Sequence, residues 1–127
     1  MSNVSYPVAQ DTPTSHLPFS PAVRVGDLIF VSGQASVDAT GKIVPDTFDG
    51  EFRRSVENLR KVLEGAGSDL KHVVQTRNYV RDAANVPRYN ELYREYFSAP
   101  FPTRTTITNC LPPTLHYEIE CVAVAKA

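Results

Sequence analysis

Tryptophan is absent from this chain, methionine occurs only at the first position, and cysteine only at Cys110 and Cys121. Two cysteines are too few for a disulfide framework, so they read as thiols suited to a reducing compartment. Long apolar runs are missing too. Residues 28–31 form one of the longest, far below the ~20 residues a membrane helix needs. No charge of one sign dominates: 13 Lys and Arg against 14 Asp and Glu leave a net charge of -1. Such a balance supplies no field to gather phosphate backbones, which disfavours a nucleic-acid partner. Residues 1–14 lack the basic start and apolar stretch of a signal peptide, so a cytoplasmic location is expected.

Common catalytic signatures are also missing. The chain has no P-loop, no Gly-x-Ser-x-Gly elbow, no Cys-x-x-Cys and no His-Glu-x-x-His. His16, His72 and His116 are scattered without metal-ligand spacing, so no metal site is expected. Cys110 and His116 lack the orienting third group of a nucleophilic pair.

What is present fits one domain, 1–127, with an N-terminal arm over 1–17 whose Pro, Ser, Thr and Asn content resists regular structure until it docks. Two β-rich runs flank Gly26-Asp27, the pattern of a hairpin. Phe52, Val56, Leu59, Leu63 and Ala66 then recur at helical steps, with Gly67 as the stop. Residues 73–80 alternate as a strand, with Val74, Thr76, Asn78 and Val80 sharing a face. Asn85 is placed to cap a second helix carrying the stripe Val86, Tyr89, Tyr93 and Tyr96. Residues 104–108 and 117–124 read as a closing hairpin. This order predicts an α+β fold, a mixed sheet with two helices on one face. Ile29, Val31, Val122 and Val124 make a purely hydrophilic back face improbable, which predicts a homo-oligomer.

Among polar residues Arg104 stands out, because a guanidinium at the start of a rigid strand matches a carboxylate in both planarity and charge. Spacing alone favours instead a surface arginine paired with Glu118 or Glu120 across the hairpin. Those two glutamates share one strand face, where one of them could act as acid or base. Ser32 and Asn90 are further polar candidates.

Together the residues resemble the RidA (YjgF) family of reactive-intermediate deaminases. The resemblance rests on Pro18-Phe19-Ser20, Gly26-Asp27-Leu28-Ile29-Phe30-Val31-Ser32-Gly33-Gln34 and Ser55-Val56-Glu57-Asn58-Leu59. It continues through Tyr89-Asn90-Glu91-Leu92-Tyr93, Pro102-Thr103-Arg104-Thr105-Thr106 and Glu118-Ile119-Glu120-Cys121-Val122-Ala123-Val124, and covers residues 18–125. It implies a chorismate-mutase-like fold assembled as a homotrimer with sites between subunits. It also implies hydrolysis of 2-imino and 2-enamino acids to 2-oxo acids and ammonia, without metal or organic cofactor. Arg104 matches the arginine that holds the substrate carboxylate, and Glu118 the glutamate that positions water. Ser32 and Asn90 match lining positions. Phe19 and Thr106 stand at two more, where well-studied members carry Tyr and some carry Cys. Two other functions stay open: an endoribonuclease acting on single-stranded RNA, for which Arg53, Arg54, Arg60 and Lys61 offer a modest basic face, and a non-catalytic trimer that binds a small carboxylate.

Overall fold

The computed structural model describes residues 3–10, 12, 13 and 15–127. Met1, Ser2, Asp11 and Thr14 of the expected arm lie outside the described residues. Parts of the rest of that arm are docked. Val4–Ser5 forms a short strand, β1, on the edge of Ala22–Val25, β2. Ala9 packs so closely on Gly65 that a Cβ there would collide with it.

The strand β2 turns at Gly26, whose φ of 58° lies in the left-handed region glycine enters at little cost, and returns as Leu28–Ala35, β3. Helix α1 spans Phe48–Gly65. It starts where Thr47 accepts a hydrogen bond from the Gly50 amide at 3.1 Å, and acidic Asp49 and Glu51 occupy the first turn. It ends at Gly67, φ 90°, with the Ser68 amide returning to the Leu63 carbonyl at 2.9 Å. The stripe of Phe52, Val56, Leu59 and Leu63 is fully buried, and each such side chain contributes about 1.5–3 kcal/mol.

Strand β4, Val73–Val80, leads through a short turn into α2, Val86–Tyr96. Asn85 stands before α2 as expected, but its side chain makes no capping hydrogen bond; the proline in the first turn removes one of the amides a cap would serve. The chain then enters β5, Thr103–Thr108, parallel to β4. Last comes β6, Tyr117–Val124.

The sheet order is β1-β2-β3-β6-β4-β5, so β5 and β6 are not the expected hairpin. β6 crosses to the other side of β4 and pairs antiparallel with β3 and β4. The two strands differ in what they can bury. β6 alternates strictly between buried and half-buried positions and suits the centre, whereas Thr-rich β5 is mostly exposed and takes the edge. Both helices cover one face, with Ile29, Val31, Tyr117, Ile119, Cys121 and Ala123 beneath them. Ile29 and Val31 therefore do not belong to the back face. Their neighbours Leu28 and Phe30 do, opposite Val124 and Val122 in register. A register shift between Val73 and Gln75 also sends Val73, not Val74, into the core.

Candidate functional site

Position 104 pairs in register with Thr76 of β4, a fully buried residue under α2, so Arg104 sits on the helix-covered side of the sheet. Its guanidinium carbon lies 4.8 Å from the ring centroid of Tyr89 and 5.0 Å from that of Tyr93. Those rings are held by their hydroxyls: Tyr89 Oη is 2.8 Å from Thr106 Oγ1, and Tyr93 Oη is 2.7 Å from Thr76 Oγ1. Asn78 extends the network, donating to Thr76 Oγ1 at 3.0 Å and accepting from the Tyr117 hydroxyl at 2.5 Å. Burial pushes the Tyr89 phenol up to about 12 and raises Tyr93 too, so both stay protonated at neutral pH and act as a platform.

Among the described residues Arg104 has no carboxylate partner. It opens onto a cleft of about 180 Å³ lined by Asn90, Tyr93, Arg94, Phe101, Pro102 and itself. Asn90 contributes an oddity to the cleft wall: its Oδ1 is buried without a hydrogen-bond partner among the described residues. An orphaned acceptor costs about 1–3 kcal/mol, and positions that tolerate it are often functional.

Glu118 stands elsewhere. It pairs with Tyr79 and Ala35 on the opposite parity of the sheet, on the face the helices leave uncovered. Its carboxylate lies directly over Gly33, where any Cβ would collide with it. Burial, and then the charge of Glu120, raises its pKa above the ordinary value of 4.5. The neighbouring Glu120 is occupied, accepting from the Tyr79 hydroxyl at 2.6 Å and lying 3.6 Å from Arg77. No side chain or backbone donor among the described residues engages Glu118. Of the two glutamates, it is the one left available.

The six candidates thus fall into two groups. Arg104 and Asn90 share the cleft at the α2–β5 edge, with Thr106 beside it, its hydroxyl committed to Tyr89. Glu118 lies with Ser32 near Gly33. The Ser32 hydroxyl donates to the Ser20 carbonyl at 2.6 Å, which ties down the segment carrying the half-exposed Phe19. Tyr89 and Tyr93 escaped the sequence reading because a tyrosine stripe on a helix reads as core. The available signal was their hydroxyls, which need partners when buried.

Other candidates are used structurally. His116 donates its amide to Glu51 Oε1 at 2.7 Å and sets Nδ1 2.6 Å from Glu51 Oε2, while Glu51 is 1% exposed. Burial and the Glu118 charge raise the Cys110 thiol, away from a nucleophilic thiolate. The basic face of α1 is largely consumed: Arg53 pairs with Glu95, Arg54 with Asp46, and Arg60 with Glu57 and Glu64.

A profile of the family described as Endoribonuclease L-PSP matches residues 9–125. The chain belongs to the RidA (YjgF) family. It is 37% identical over 108 residues to a RutC family protein of Pyrococcus abyssi, covering 84% of this chain and 85% of that one. It is 34% identical over 128 residues to a mouse protein named 2-iminobutanoate/2-iminopropanoate deaminase, covering 98% and 95%. Among solved structures of this RidA-type fold, Escherichia coli TdcF with bound serine superposes with a TM-score of 0.85 at 28% identity, covering 96% of this chain and 99% of that one. Family names thus span deaminase and endoribonuclease labels.

Proposed function

We propose that this chain is a hydrolytic deaminase of 2-imino and 2-enamino acids, working as a homotrimer whose sites form between subunits. The observation that carries the reading is Arg104: a guanidinium with no carboxylate partner among the described residues, seated on two anchored tyrosine rings at the mouth of a small cleft. A preorganised fork of this kind fixes a substrate carboxylate and so presents the adjacent C2 carbon in one orientation. Kinship with proteins named as deaminases supports the reading, as does a relative solved with serine, an amino acid that carries such a carboxylate.

Glu118 takes the role of base. As a water oxygen bonds to C2 of the imine, the carboxylate accepts the water's proton. It passes that proton to nitrogen to give a carbinolamine, then relays the remaining proton of the new C2 hydroxyl to nitrogen as the C2–N bond breaks, giving a 2-oxo acid and ammonia. A carboxylate whose pKa is raised by burial accepts a proton more readily, and such a base is worth about 10²- to 10⁴-fold in rate. Because Arg104 and Glu118 occupy opposite faces of one sheet, the reading requires Glu118 of one copy to meet Arg104 of another. Leu28 and Phe30 beside Glu118's strand supply exposed apolar surface for that contact. Phe19 and Ser32 travel with Glu118, while Asn90 and Thr106 travel with Arg104.

The test uses imino acids generated in place by an amino-acid oxidase, with their disappearance followed at substrate-limiting levels. Wild-type protein should accelerate the loss and Arg104→Ala should not; equal behaviour of the two defeats the reading.

A further inference from the structure

The Arg104 cleft contains a second guanidinium that the reaction just described does not use. Arg94 lies one turn beyond Asn90 on α2 and lines the same cleft. The acidic residues beside it on α2 are engaged elsewhere: Glu91 is 2.9 Å from Arg88, and Glu95 is 2.7 Å from Arg53. Arg94 itself makes only a long contact, 3.5 Å, to the Asn90 carbonyl, and forms no ion pair among the described residues. The six lining residues include two arginines and no carboxylate.

Resting on the deaminase reading of this site, we propose that Arg94 is a specificity-determining residue that selects 2-imino acids with a second carboxylate, those derived from acidic amino acids. Two like charges sharing a small cleft repel each other unless an anion sits between them, and a dianion relieves that repulsion where a monoanion relieves half of it. One substrate carboxylate occupies Arg104, and the side-chain carboxylate reaches Arg94 on the wall of the same cleft. At about 180 Å³ the cleft falls below the roughly 300–1,000 Å³ of drug-sized pockets, which fits a four- or five-carbon acid. The enzyme that supplies this substrate would then oxidise the Cα–N bond of an acidic amino acid, or eliminate a β-substituent from an acidic amino acid that carries one.

The test compares kcat/KM on the imines generated from aspartate and from alanine, for wild type, Arg94→Gln and Arg94→Lys. Wild type should favour the dicarboxylate imine by about tenfold or more, the worth of one additional charged hydrogen-bonded contact. Arg94→Gln should abolish the preference and Arg94→Lys should retain much of it. A wild-type ratio near unity, or a ratio unchanged in Arg94→Gln, overturns the proposal. Calorimetric binding of 2-oxoglutarate against 2-oxobutanoate separates this failure from failure of the deaminase reading. If no imine is turned over but the Arg94-dependent binding preference remains, the selectivity stands and deamination falls. If binding shows no such preference, the selectivity falls as well.

Discussion

Arg104 and Glu118 stand on opposite faces of the same sheet, on strands separated by β4. Arg104 aligns through Thr76 with Cys121, three residues along β6 from Glu118, so two strand spacings and that offset place their backbones about 14 Å apart, and the sheet itself lies between their side chains. Each is prepared in its own way, one by the Tyr89–Tyr93 platform and the other by the floor of Gly33. A catalytic role for both is a statement about two copies of the chain, and the predictions below follow from that separation.

Replacing Arg104 by Lys keeps the charge but loses the planar fork and its stacking on both rings. Turnover of imino acids should fall at least about tenfold while the unfolding midpoint changes little, because the residue is exposed and forms no ion pair among the described residues. Steady-state kinetics with thermal unfolding on the same preparation checks both halves.

If Glu118 is the base of the proposed deaminase, it should link activity to pH. Its pKa is raised by burial, so the acid limb of kcat/KM should lie above the ordinary carboxylate value of 4.5. The stability effect has the opposite sense. A carboxyl with a raised folded-state pKa adds stability that is fully present below the unfolded value and lost as pH rises through the folded one. Glu118→Gln should therefore be inactive yet more stable than wild type at neutral pH, with the difference vanishing under acid conditions. Denaturant titrations at several pH values measure it.

Gly33→Ala places a methyl group where the Glu118 carboxylate rests. The carboxylate must move aside, so kcat should drop while substrate binding at Arg104, read by titration with a 2-oxo acid, is preserved. Retention of full kcat would show that the Gly33 floor does not position Glu118.

Glu51→Ala removes the buried acceptor of the His116 amide and ring. Leaving those donors unpaired should cost about 1–3 kcal/mol in denaturant unfolding. No direct effect on the Arg104 cleft is expected.

Much of this architecture was legible in the residues. The α1 stripe, the bounds of β4 and β6 and the turn at Gly26-Asp27 follow from period and turn chemistry, which are local properties. What local pattern does not carry is which strand lies beside which. Sequence adjacency predicted a β5–β6 hairpin, but the alternation of β6 suits a central strand with partners on both sides. The same limit blurred the site. In a hairpin Arg104 could face Glu118 or Glu120; with β6 on the far side of β4, Glu120 is taken by Tyr79 and Arg77 and Arg104 is left open. The tyrosine platform was hidden because Tyr89 and Tyr93 serve as core and as support at once. The assignment of Ile29 and Val31 to the back face failed by one residue of parity, which in a strand exchanges the two faces.

The most direct test of a site shared between copies is complementation. Arg104→Ala and Glu118→Gln proteins, each inactive alone, are co-expressed and purified as mixed oligomers. In a closed ring that draws subunits at random, about a quarter of the sites combine an intact Arg104 from one copy with an intact Glu118 from its neighbour. Deaminase activity should reappear at about that fraction of wild type. Mixed oligomers that form but remain as inactive as their parents would contradict a site built from two chains.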